Sequence, residues 1–242
     1  MMSNTTTPEH SRRRPDALQL LSRLALTAVL GFGLAACAAT GPQDPGGPLT
    51  LLPDDVPDGS DPSGGGACVV SDASFDDDVT VPANTACTFT NVSIDGNLVL
   101  ARGSSVVSSG GNVGGNVLVY PDAQYTATTT AIAGNVQAER AAAVDLDQTQ
   151  VGGNVQTEQT TSLVVTGGLV DGDIQPDDGG QVTISGVTVN GNVQVYDNSG
   201  GVAINDNVID GNLQCEDNDP APMGGGNVVH GDAEGQCSGL AS

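Results

Sequence analysis

Apolar and polar positions along the chain repeat every 19 or 20 residues. Gly-Asn or Gly-Asp pairs begin at Gly96, Gly115, Gly134, Gly153, Gly172, Gly191, Gly211 and Gly231. Asp77-Asp78 holds the same place one unit earlier. Two residues after the start of each pair stands an aliphatic: Val79, Leu98, Val117, Val136, Val155, Ile174, Val193 and Leu213. Two residues before it stands another: Ile94, Val113, Ile132, Val151, Val170, Val189, Ile209 and Val229. In mid-unit, apolar and polar residues alternate, as in Val182-Thr183-Ile184. Alternation with period two over short stretches rich in β-branched residues predicts short strands. Gly and Asn tolerate left-handed backbone, so the pairs are turns between strands.

A repeat this regular decides the fold class. A two-helix repeat needs a longer unit, and the Leu and Asn framework of a leucine-rich repeat is missing. One unit per coil of a single-stranded parallel β-helix fits. The predicted fold is therefore all-β, with two or three short strands per coil and coils stacked about 4.8 Å apart. The base rate for such folds sets the expectation of a right-handed coil, which the sequence itself does not fix. Eight coils would form a rod roughly 40 Å long. A single coil buries little, so stability must come from stacking.

The register predicts two ladders. Asn97, Asn116, Asn135, Asn154, Asp173, Asn192 and Asn212 stack at one turn, where in-register amides can hydrogen-bond along the stack. Gln137, Gln156, Gln175, Gln194 and Gln214 stack on an outer face. The cysteines agree with this register. Cys68 and Cys87 are 19 residues apart and Cys215 and Cys237 are 22 apart, about one coil in each case. Neighbouring coils bring Cα atoms within disulfide range, so the predicted bridges are Cys68–Cys87 and Cys215–Cys237. They would staple the first and last coils, where open strand edges invite fraying and association.

Ahead of the repeat, Arg12, Arg13, Arg14 and Arg23 precede an apolar run from about Leu24 to Ala36. The run is shorter than the ~20 residues that span a bilayer, and it follows the order of a secretory signal. It closes on Leu34-Ala35-Ala36-Cys37, which resembles the lipobox of bacterial lipoproteins. The resemblance implies a signal peptide over residues 1–36, cleavage before Cys37, and acylation of its sulfur and new amino terminus by chains such as palmitate. Ala38 then resembles an outer-membrane sorting residue, if the source is Gram-negative. Residues 37–66, rich in Gly, Pro and Asp, read as a lipidated Cys followed by a flexible tether of roughly 30 Å reach. Residues 67–242 form the β-helix domain.

Short coils with recurring Gly-Asn-Val are similar to the short-rung β-helices of bacteria, including the bactofilin scaffold proteins. The similarity covers about residues 77–235 as a pattern, and it carries no functional residues over. Bactofilins resemble cytosolic polymer-formers. The signal, lipobox and paired cysteines here imply an exported chain, expected to be a monomer.

Charge narrows the chemistry. The chain has six Arg, no Lys, and 29 acidic residues, for a net charge of −23. Cleavage after residue 36 would leave Arg102 and Arg140 against 27 acids, a net of −25. Such a surface excludes nucleic acid and leaves membrane attachment to the acyl chains. Lyase chemistry wants basic residues that are scarce here, and His230, the one histidine after residue 36, abuts a turn. Constant unit length leaves no long loop to build a cleft, so no catalytic residues are assigned. Just after the Gln row lie Glu139, Glu158, Asp177, Asp178, Asp197, Glu216, Asp217 and Asp219, which the register places on one corner. An oxygen-only cluster of this kind suits Ca²⁺, the one cofactor the sequence suggests, against the plainer reading of a solvated acidic face. Five aromatics after residue 36 make sugar-stacking platforms sparse. The Thr-rich run from Thr126 to Thr130 lies in one coil, and Thr ladders across coils, as an ice-binding surface requires, are not expected. The expected role is non-enzymatic: structural or adhesive at the cell envelope, with envelope polysaccharide or a surface protein as partner. Cation binding, glycan binding and carbohydrate-active catalysis are the alternatives.

Overall fold

The computed structural model describes residues 49–50 and 67–242. The expected signal peptide, Cys37 and all but two residues of the expected tether lie outside the described residues. The described chain is all-β. It winds as a parallel solenoid of three sheets with nine, nine and ten strands and about 19 residues per coil.

Each coil contains three strands. A five-residue strand such as Ser162–Thr166 belongs to the first sheet. A two-residue strand such as Leu169–Val170 belongs to the second. A four-residue strand such as Ile174–Asp177 belongs to the third. The five-residue strands bury their second and fourth residues, as the alternation requires. One corner needs left-handed backbone, supplied by Asp72, Asn91, Thr129, Gln148 and Asp206 in some coils and by Gly110, Gly167 and Gly186 in others. These are the residue types for which that backbone is least costly, apart from Thr129 and Gln148.

The aliphatic rows become columns in the core. Val79, Leu98, Val117, Val136, Val155, Ile174, Val193 and Leu213 pair in that order in the third sheet, and each is buried. The row from Ile94 to Ile209 is likewise buried, while Val229, in the last coil, is only partly covered. Leu49–Thr50 pairs with Val79 and Thr80, so two residues of the segment read as tether add an outer strand to the third sheet.

The Gly-Asn corner holds the coils together. Asn135 donates its backbone N–H to Asn116 Oδ1 at 2.9 Å and its Nδ2–H to the same oxygen at 3.0 Å. Its own Oδ1 accepts the N–H of Asn154 at 2.8 Å. The glycines stack beside this ladder, with Gly153 N–H donating to Gly134 O at 3.0 Å. The ladder starts at Asp78, whose Oδ1 accepts from Asn97, and ends at Asp232, whose N–H donates to Asn212 Oδ1. Glycine is needed here for space and not for its backbone freedom. A Cβ on Gly153 would sit 2.4 Å from Asn135 Oδ1 and 2.9 Å from Gly134 O.

Both ends carry the expected disulfides. Cys68 and Cys87 are register partners with Cα atoms 4.4 Å apart, and the Cys215–Cys237 Cα atoms are 5.2 Å apart. At the C-terminal end the chain turns over the last coil. Ala241 bridges to Asn227, and Ser242 N–H donates to Asn227 O at 2.9 Å. Two short amide ladders lie inside these last coils and were not expected from the sequence. Asn198 stacks on Asn218, and Asn207 on Asn227. All four are buried, and each Nδ2 also donates to backbone carbonyls. Buried amides are tolerated because they are bonded along the stack.

The core is narrow and aliphatic, with Tyr125 its largest side chain. Its coil and the one before supply small buried neighbours, Ala123, Ala127, Ser104 and Ser108. The Tyr125 hydroxyl is buried without a hydrogen bond of full geometry, and burial pushes its pKa far up, with the Ser108 hydroxyl opposing in part.

Gly153→Ala lowers stability by about 1–3 kcal/mol, because the neighbouring coil must give way. A denaturant titration against the parent chain measures it, and an unchanged midpoint contradicts the close approach. Tyr125→Phe melts at or above the parent temperature, since it removes an orphaned polar group. Tyr125→Ala loses about 3–5 kcal/mol through the cavity it leaves.

Candidate functional site

The third sheet changes character along the solenoid. Its outward residues in the first coils are Thr80, Val99 and Leu118. At Val136–Glu139 the strand lengthens from three residues to four, and the outward residue becomes Gln137. From there the predicted glutamine ladder forms. Gln156 Nε2 donates to Gln175 at 2.8 Å, Gln175 to Gln194 at 2.7 Å, and Gln194 to Gln214 at 2.9 Å. Gln137 joins more loosely at 3.4 Å, and Gln214 donates to Glu234 at 2.7 Å.

The extra residue of these longer strands carries the acids. Glu139, Glu158, Asp177, Tyr196 and Glu216 pair in that order as one column. The acids are thus not all on a single line. Asp178, Asp197 and Asp217 occupy the adjoining left-handed corner, and Asp219 follows the buried Asn218. Tyr196 interrupts the carboxylate column, and its hydroxyl lies 3.4 Å from Gln194 Nε2 and from Gln214 Oε1. The signal was in the spacing, since Tyr196 stands two residues after Gln194 as each acid of the column stands two after its glutamine. Desolvation, followed by the charges of Glu139, Asp177 and Asp178, raises the Glu158 pKa. Among the described residues, no group of three or more His, Cys, Asp or Glu side chains could hold a metal ion.

Among the described residues, the two arginines and the one histidine each pair with an acid. Arg102 meets Asp122 at 2.6 Å and Arg140 meets Glu139 at 2.7 Å, all well exposed. His230 Nδ1 lies 2.7 Å from Asp210 Oδ1, beside the turn where it was expected. On the second sheet, a shallow groove of about 250 Å³ runs over Asn112, Ala131, Ala133, Gln150, Gly152 and Asp171, where small residues leave a trough.

On the first sheet, among the described residues, no threonine has a threonine as its register partner, in line with the absence of Thr ladders expected from the sequence. The sheet's central outward column includes Val69, Thr88, Val107, Thr126, Val164 and Thr183, all β-branched and in register. The next outward column includes Ser71, Thr90, Ser109, Thr128, Thr166 and Ser185. Thr126 and Thr128 therefore belong to rows that cross coils, while Thr130 turns inward and is buried. The central row mixes Val and Thr with Asp145, Ala203 and Met223, and the other mixes Ser and Thr with Asp147 and Asn205. The 19-residue spacing of Thr88, Val107 and Thr126 was the available signal. In the middle strand, Asp145 and Asp147 take the two positions, and desolvation followed by the Asp147 charge raises the Asp145 pKa.

Compared with known protein families, curated proteins and solved structures, the chain matches none.

The acidic column makes a pH prediction. A carboxyl whose folded pKa is raised disfavours folding once it ionises, so stability is lost as pH rises through the raised value. The melting temperature should therefore rise as pH falls from neutrality into the carboxylate range. Glu158→Gln should raise it at pH 7 and flatten the profile. Added NaCl, Mg²⁺ and Ca²⁺ at equal ionic strength should act alike, through screening. A rise specific to Ca²⁺ would instead make this corner a cation site.

Proposed function

We propose that the chain is a non-enzymatic bacterial envelope lipoprotein with a structural or adhesive role at the cell surface. In this reading Cys37 is acylated and residues 38–66 hold the solenoid away from the lipid. The lipobox-like Leu34-Ala35-Ala36-Cys37 and the basic-then-apolar order before it support the anchor. The bactofilin-like Gly-Asn-Val pattern, a likeness of the repeat alone, supports a structural role.

The observation that carries this reading is the uninterrupted stack. From Val79 to Leu213 each coil pairs with the next, and every face continues across coils. Faces of this kind suit broad contact with an extended or repeating partner. Disulfides at both ends suit life in an oxidising compartment outside the cytoplasm.

Expression of the full chain in a bacterial host with labelled palmitate tests the anchor. The label should enter the protein and the protein should sediment with membranes. Cys37→Ser should abolish both, and an inhibitor of lipoprotein signal peptidase should leave the precursor uncleaved. A Cys37→Ser chain that still takes label, or a parent chain that never does, defeats the reading.

A further inference from the structure

We propose that the outer face of the first sheet is a docking surface for an uncharged, hydroxyl-rich polysaccharide. The inference rests on the adhesive reading and assigns that role to one face. It starts from a contrast in charge. The described residues include 22 acids, and 20 of them lie away from this face. Its three outward columns carry Asp145 and Asp147 as their sole charges, both in the middle strand. In a chain of net charge −23, nine strands have kept one broad side nearly neutral. An anionic glycan would be repelled by the acids at its edges, and a cationic partner would find its charges elsewhere. An uncharged partner matches this side.

The apolar exposure lies there too. Of the five large hydrophobic residues that stand exposed among the described residues, Val69, Val107 and Met223 fall in the central column of this face. With Thr126, Val164 and Thr183 they form a methyl-bearing row beside a hydroxyl-bearing one. The strands make the face about 40 Å long and 15 Å wide. A sugar ring presents both C–H faces and hydroxyls. The β-branched row takes the former, and the Ser/Thr row donates to and accepts from the latter. Asp145 and Asp147, accepting only, can take two sugar O–H groups at the centre of the face. With few aromatics in the chain, affinity comes from many weak repeated contacts, which favours a polymer over a short oligosaccharide.

The test uses the full chain purified from bacterial membranes in detergent and insoluble cellulose, chitin and a β-1,3-glucan, with pectate as the anionic control. The expected result is retention on at least one neutral polymer, unchanged by added salt, and no retention on pectate. Thr126→Lys and Thr183→Lys, both outward-facing, should each weaken retention about tenfold or more. Gln156→Lys, on the third sheet, should leave it unchanged. Unaltered melting shows that the variants fold. Four outcomes overturn the proposal: no retention on any neutral polymer; retention that the Thr variants do not weaken; thermal hysteresis, which would make the face an ice-binding one; or a concentration-dependent dimer lost in Thr126→Lys, which would make it a self-association face. A chain that takes palmitate label yet binds no polymer overturns this proposal and leaves the anchor standing.

Discussion

Stacking like on like, one strand spacing apart, is the constraint on which the solenoid depends. A corner residue must satisfy the coil above and the coil below with one set of atoms. Asparagine does so with both its backbone N–H and its amide, donating upward and accepting from the next coil. The glycine beside it leaves room for that amide. This corner sets the register of the whole coil. The register then carries the aliphatic rows inward, aligns Cys68 with Cys87, and fixes which side chains share each outer column.

The same rule rewards and penalises by chemistry. Amides and hydroxyls gain from identical neighbours, because each can donate and accept. The glutamine ladder and the inner Asn198–Asn218 and Asn207–Asn227 pairs use this. Carboxylates only accept, and identical neighbours repel. Apart from Asp145 and Asp147 on the first sheet, the acids consequently sit at edges and corners, where water screens them, and the column from Glu139 to Glu216 is broken once by Tyr196. Where a carboxylate is partly desolvated, as at Glu158, its pKa rises.

What could be read in advance followed from periodicity. The Gly-Asn spacing announced the coil, and the aliphatic rows on either side announced the core. Cysteine spacing gave both disulfides, since one coil is the distance a bridge needs. The rest required real coil geometry. Asn198 and Asn207 each follow an aspartate, so in sequence they look like turn residues, and only the closed corner turns their amides inward. The acids were placed on one corner by spacing, and the structure divides them between the last residue of each third-sheet strand and the left-handed corner beside it. The outward rows of the first sheet keep neither residue identity nor shape, as Asp145, Ala203 and Met223 in the central row show, so repetition alone does not announce them. Function stayed open for a related reason: in a solenoid the outer positions are free of the packing rules that make the core readable.

The ladder also has a direction and two charged ends. Each Oδ1 accepts from the following coil, and the run begins at Asp78 and finishes at Asp232. An aspartate is tolerated inside the run, as Asp173 is between Asn154 and Asn192, because its backbone N–H still donates and its oxygen still accepts. Neither end of the run is left open for a further coil. At the first, the Leu49–Thr50 strand already lies on Val79 and Thr80, so a second copy would meet that strand and not Asp78. At the last, Ala241 and Ser242 close on Asn227. Rod length is thus written into the polypeptide by segments that lie outside the repeat.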